Sequence, residues 1–131
     1  MEKWLGRFSE VLYSVMRIIF GLLFMCHGAQ KLFGLLGGKA ETTNPMILFA
    51  GAIEFAGGIL IALGIWAGYA AFLSSGEMAV AYFMVHAPRG FFPIVNKGEL
   101  AVLYCFIFLY IASRGSGKLS LEQLIWGKDQ K

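Results

Sequence analysis

Between Met46 and Ala87 only Glu54, Glu77 and His86 carry charge, or can take it up, near neutral pH. One membrane-crossing helix needs about 20 predominantly apolar residues, and this stretch is about twice as long. It therefore holds two spans. Gly64-Ile65-Trp66-Ala67-Gly68 supplies the break between them, with glycines for a tight turn and Trp66 at the headgroup level. The two spans are predicted over about 46–63 and 69–86.

A second apolar stretch precedes them, from about 11 to 36, and a third follows, from about 97 to 113. With 58% hydrophobic and only 15% charged residues, the composition lies outside the range of soluble domains. The reading is a single all-α domain over residues 1–131, an integral membrane four-helix bundle with a short C-terminal amphipathic helix. The net charge of +3 is too small and too scattered for nucleic acid to be a partner. No cleavage-site pattern follows the first apolar run, so it is expected to stay as a membrane helix. Cys26 and Cys105 form no CxxC and lack metal-ligand spacing, so no metal site is expected and each reads as a buried thiol.

The connections carry recognisable signals. Met1–Glu10 mixes Trp4, Leu5 and Phe8 with charged residues, as in an interfacial lead-in. Residues 37–43 are a polar break, after which Asn44 is placed to cap a helix that starts with Pro45. Pro88 ends the third span, and residues 89–95 form an aromatic loop expected to fold back against the bundle. Asn96 and Glu99 have the spacing of a capping box, and so do Ser120 and Gln123 at the start of the amphipathic helix. Four spans put both termini on one side, with Lys3, Arg7, Arg114, Lys118, Lys128 and Lys131. Lys39, Arg89 and Lys97 fall on the other, so the positive-inside rule places both termini in the cytoplasm.

The first span is the most heavily charged. On a helical wheel Arg17, Gly21, His27, Gly28 and Lys31 fall within roughly 120° of arc, with Ile18, Leu22, Met25 and Ala29 on the other sides. Ionisable groups in a bilayer usually face the helix bundle and pair there. Counting depth along the spans predicts a central cluster of Arg17, Glu54 and Glu77. It also predicts an outer cluster of His27, Lys31, His86, Arg89 and Glu99. Simpler roles stay open: Glu99 as a helix cap, Arg17 snorkelling to headgroups, and His86 bonding loop carbonyls. Glu54 and Glu77 are the hardest to dismiss, because a mid-span carboxyl must find a cation or hold a proton. Gly51, Gly58 and Gly68 lie on the side of Glu54, with Gly57 close by, and suit close backbone packing.

These residues also carry a resemblance. Arg17, Gly21, Phe24, His27-Gly28, Lys31-Leu32 and Gly34 come first. They are followed by Glu54, Gly57-Gly58, Leu60 and Gly64, then Met78, Ala81 and His86. Asn96-Lys97-Gly98-Glu99-Leu100-Ala101 with Leu103-Tyr104 comes next, and Gly115, Gly117 and Leu119-Ser120-Leu121 close the series. Taken in order, the pattern resembles the DoxX family, with Asn-Lys-Gly-Glu where Asn-Gly-Gly-Glu is more usual. The resemblance implies a small four-helix protein of the bacterial cytoplasmic (inner) membrane, in a family linked to redox work. One branch resembles the membrane subunit of thiosulfate:quinone oxidoreductase, and another is associated with a membrane complex serving thiol and superoxide stress.

Two functions of different kind follow. In the first, the protein is a redox-associated membrane subunit, quinone- or thiol-linked. Its bundle holds a quinone against His27, Glu54 and Glu99, Arg17 balances charge, and a soluble redox partner works with it. A haem between His27 and His86 is disfavoured, because two histidines are the minimum and Pro88 leaves His86 loosely placed. In the second, the chain is a non-catalytic scaffold or assembly subunit, a homo-oligomer among the options, whose charges fix helix register. The candidate site residues common to both are Arg17, His27, Lys31, Glu54, Glu77, His86 and Glu99, and the lipid bilayer is the partner in either case.

Overall fold

A computed structural model describes residues 1–127, which are helical apart from turns and loops, with no strand among the described residues. Helix α1 (Glu2–Leu5) runs through a 3₁₀ turn at Gly6–Phe8 into α2 (Ser9–Phe33). Helices α3 (Pro45–Leu63) and α4 (Ala67–Ala81) follow, and α4 continues through a π-helical turn at Tyr82–His86 and a 3₁₀ turn at Ala87–Arg89. Short α5 (Pro93–Asn96) leads to α6 (Glu99–Arg114) and then α7 (Leu121–Trp126). Lys128 and Lys131, counted above with the basic C-terminal end, lie outside the described residues.

Local chemistry sets most of these limits. Asn44 accepts from Met46 N at 3.0 Å and Pro45 takes the first helical position, as the sequence predicts. Ser120 caps α7 by accepting from Gln123 N at 3.2 Å. Helix α2 closes at Gly34, earlier than the predicted 36, with Gly34 N donating to Gln30 O.

The Asn96–Glu99 capping box does not form. Gly98 is the N-cap of α6 and makes no side-chain cap bond, while Asn96 is buried at the end of α5. Asn96 Oδ1 accepts from Gly98 N at 2.8 Å, and its Nδ2 donates to Tyr82 Oη at 3.0 Å and Gly90 O at 2.7 Å. Tyr82 in turn donates to Phe91 O. This network fixes the loop by its backbone. Phe91, Phe92, Ile94 and Val95 are exposed, so the loop meets the helices through its backbone and not through its aromatic side chains.

Helices α2 and α3 run antiparallel with their backbones in contact. A Cβ at Gly21 would lie 2.5 Å from Ala62 N; one at Gly28 would strike Phe55 N, and one at Gly58 would strike Met25 N. Only hydrogen fits at those points, and this close approach is what small residues allow between apolar helices. Ala29, assigned above to an outward side of α2, is buried.

Helix α4 packs against α6 and, as far as its middle, against α3, where Gly57 faces Ser74 Oγ. Between α2 and α6 the core is aromatic: Phe24 and Phe108 rings lie 4.7 Å apart, and Tyr104 stacks on Phe108 at 5.3 Å. Each long helix also turns large apolar side chains outward, among them Ile19, Leu23, Phe49, Phe72 and Phe106. By length and composition, the helical stretch Glu2–Phe33 and helix Pro45–Leu63 could each cross a membrane.

Candidate functional site

The charged residues gather at two ends of the helix set, in a different pairing from the one that depth counting predicts. Arg17 does not meet Glu54 or Glu77. It is 1% exposed and turned toward the C-terminus of α3. Its Nη1 donates to Ile61 O at 2.6 Å and Ala62 O at 2.9 Å, and its Nη2 to Leu119 O at 2.7 Å. The last carbonyls of a helix lack intrahelical donors and carry partial negative charge. A guanidinium with several forked donors satisfies them without a carboxylate. Gly64, with φ +76°, turns the chain at this point, and a Cβ there would lie 2.7 Å from Arg17 Nη1.

Around Arg17 the rest of that end is knotted together. Glu122 Oε1 accepts from Trp66 N at 2.8 Å and Ser116 Oγ at 3.0 Å. Tyr13 Oη donates to Gly115 O at 2.6 Å. The Arg114 guanidinium lies over the Tyr13 ring at 4.2 Å and pairs with Glu10 at 2.9 Å. These contacts tie α7 and the α3–α4 turn to α2. They hold structure and expose no reactive constellation.

At the opposite end Lys31 pairs with Glu54. The ammonium lies 2.6 and 2.8 Å from the two carboxylate oxygens. Glu54 is 1% exposed and Lys31 34%, so the acid is interior and the lysine reaches inward from the end of α2. Gly51, one turn before Glu54, gives the lysine stem its room, since a Cβ there would meet Lys31 Cβ at 3.1 Å. The Glu77 carboxyl lies beside that of Glu54, and its buried Oε1 has no hydrogen-bond partner among the described residues.

These groups form the floor of a cavity of about 800 Å³ bounded by α2, α3, α4 and α6. His27, Lys31, Glu54, Glu77 and His86 all line it. His27 sits edge-on to Tyr104, ring centres 5.8 Å apart, and His86 Nδ1 lies 3.2 Å from Asn96 O. Thus five of the seven candidates converge on one space, drawn from both predicted clusters. Arg17 is at the other end. Glu99 is exposed in the first turn of α6 and Arg89 is exposed after the π turn, and neither lines the cavity. Cys26 and Cys105 are both free and half-buried; the Cys105 sulfur lies 3.5 Å from Ser75 Oγ.

Sequence reasoning missed Tyr104 and Lys97, which also line the cavity. Tyr104 belongs to an apolar helix face with no charge to mark it. Lys97 counts in the sequence only as a basic residue on the side opposite the termini, and its left-handed backbone (φ +64°) turns the chain into α6. The wall is otherwise apolar, with Ile47, Ile53, Phe72, Met78 and Ala101 among its side chains. A largely apolar cleft with a few convergent polar groups is the usual form of a small-molecule site. Here the polar groups are two acids, two lysines, two imidazoles and a phenol, a set able to bind oxygen atoms and pass protons.

Comparison with known proteins falls on the same residues. The profile of the family described as DoxX matches residues 12–87, which include Arg17, His27, Lys31, Glu54, Glu77 and His86. A Haemophilus influenzae protein described as uncharacterized is 40% identical over 131 residues, spanning 95% of this chain and 98% of its own. No solved structure matches. With more than half of its length inside the family profile and a relative aligned almost end to end, the chain belongs to the DoxX family.

Proposed function

We propose that this protein is a multi-pass inner-membrane subunit of redox type, and that the cavity above Lys31, Glu54 and Glu77 holds a quinone. In this reading α2, α3, α4 with its π turn, and α6 cross the membrane as a four-helix bundle, with both termini in the cytoplasm. The basic side chains support that orientation: Lys3, Arg7, Arg114 and Lys118 lie at the Arg17 end, against Lys39, Arg89 and Lys97 at the other. The outward Phe, Leu and Ile side chains of every long helix then face lipid.

The observation that carries the quinone reading is the cavity's division into an apolar wall and a charged floor. A quinone has a flat apolar ring with two carbonyl oxygens, and its reduction takes up two protons with two electrons. Lys31 and His27 offer donors to a carbonyl oxygen. Glu54 and Glu77 share the single ammonium, so a proton bound between the two acids brings the trio to neutrality and is available to the ring. The electrons come from a soluble redox partner of the thiol or sulfur class.

The test is native mass spectrometry of the protein released from lipid nanodiscs, followed by titration with a benzoquinone. Bound quinone in the wild-type protein, with uptake weakened at least tenfold by Lys31→Met or Glu77→Leu, is the expected result. A protein that takes up no quinone while folded and intact overturns this reading and leaves the non-catalytic scaffold.

A further inference from the structure

Gly76 stands apart from the buried and half-buried glycines of the long helices. Gly21, Gly28 and Gly58 are spaces that a neighbouring backbone fills, so each is needed for packing. A Cβ built on Gly76 meets nothing within 4 Å. The residue lies in the middle of α4, where glycine is about 1 kcal/mol less favourable than alanine, and its position is exposed. No contact within the chain accounts for it. It does, however, form part of the cavity wall, one residue before Glu77.

The surrounding residues explain what the missing side chain leaves open. Helices α3 and α4 touch where Gly57 faces Ser74, and the cavity lies beyond that contact toward the start of α3. Its rim on both helices is apolar and outward-facing: Phe49 on α3, and Phe72, Leu73 and Val80 on α4, are all exposed and all line it. The charged floor is deep, with Glu54 almost fully buried, whereas the α3–α4 rim is the lipid-facing surface of the proposed bundle.

We infer that the gap between α3 and α4 at Gly76 is a lateral port, through which the tail of an amphipathic ligand runs from the charged floor into the bilayer. The occupant is then a ring with a long hydrocarbon chain that enters sideways from lipid. Gly76 is a specificity-determining position, because a bulky side chain there closes the port. This inference rests on the quinone reading of the same cavity, and adds the tail and its route.

The experiment compares a tailless benzoquinone with the same ring bearing a decyl chain, each titrated into nanodisc-held wild-type protein and into the Gly76→Leu variant. Affinities are referred to the free ligand concentration within the lipid, so that partitioning alone gives no preference. Referred to lipid, the wild type is expected to hold the two compounds about equally, because a tail that runs through the port into the bilayer leaves no water behind. Gly76→Leu is expected to bind the decyl compound at least tenfold more weakly, relative to the tailless ring, than the wild type does. Its thermal midpoint should equal or exceed that of the wild type, which shows that the loss is not misfolding. A ratio of the two affinities that is the same in Gly76→Leu as in the wild type overturns the port and leaves the ring site standing, as does a wild type that binds the tailless ring and excludes the decyl compound. Failure of both compounds to bind the wild type overturns the port together with the quinone site.

Discussion

Lys31 and Glu54 belong to different helices, yet the lysine ammonium spans both carboxylate oxygens, at 2.6 and 2.8 Å, from the last turn of α2 to the middle of α3. Removing one partner of a buried pair costs about 3–5 kcal/mol. The lysine is one-third exposed, which places Lys31→Met toward the low end of that range. Lys31→Met/Glu54→Leu removes both charges and should recover most of the loss. A double-mutant cycle on thermal unfolding in mild detergent checks this; additive losses would show that the two side chains do not depend on each other.

The glycines make opposite predictions according to what they face. Gly21→Ala drives a Cβ to within 2.5 Å of the Ala62 backbone nitrogen and should destabilise by about 1–3 kcal/mol. Gly76→Ala meets nothing and should stabilise α4 by up to about 1 kcal/mol. Melting both variants side by side tests the helix contacts directly, since composition alone predicts the same sign for the two.

Arg17→Lys keeps the charge and loses the fork. A lysine cannot reach Ile61 O, Ala62 O and Leu119 O together, and each charged hydrogen bond lost is worth about 1.5–3 kcal/mol. The segment from Gly115 to Trp126 should loosen first. Limited proteolysis, or hydrogen exchange at Leu121–Trp126, should show faster cleavage or exchange there while α2 and α3 stay protected. Unchanged protection of α7 would mean that Arg17 does not hold it.

Glu41, in the loop between α2 and α3, gives a pH prediction. Asn44 N at 2.9 Å, Thr43 N at 3.1 Å and the Thr43 hydroxyl at 3.0 Å all donate to one of its oxygens, and hold the carboxyl below its usual range. Because the folded value is the lower one, the contribution is fully present above the ordinary carboxylate pKa. It is lost as the pH falls through the lowered value. The Thr43 and Asn44 amides should exchange faster with solvent below that point. In Glu41→Gln the protection should be weaker at every pH and show no step.

The helix ends and the charge pairing differ in how far the sequence reveals them. Asn44-Pro45 and Ser120 work through neighbours in the chain, so their caps could be read directly. The same spacing at Asn96 and Glu99 misleads, because Tyr82, on the preceding helix, and the loop carbonyl of Gly90 engage Asn96 first. The π turn at Tyr82–His86 has no periodic signature, and it changes which side of the helix His86 presents. Depth counting sent Arg17 toward Glu54 because it placed side chains level with their own Cα atoms. Lysine and arginine stems are long enough to break that rule: Lys31 reaches toward the middle of α3, and Arg17 takes the carbonyls at its end. His27, Glu54, Glu77 and His86 were legible as site candidates because charge is conspicuous in an apolar span; Tyr104 and Gly76 were not, since neither carries any.

The α2–α3 contact contains a degeneracy that its charges remove. Gly21 and Gly28 on one helix, and Gly51 and Gly58 on the other, repeat at the same interval, so a slide by one interval still seats a glycine against a glycine. Backbone fit alone therefore permits more than one alignment of the pair. In the slid alignment Lys31 no longer lies opposite Glu54 and Arg17 no longer reaches Ile61 and Ala62, which strands two buried charges, Glu54 and Arg17, at once. The two polar fastenings at the ends act as a vernier, selecting one alignment from those the smooth glycine surface would accept, and with it the depth at which the acid pair sits.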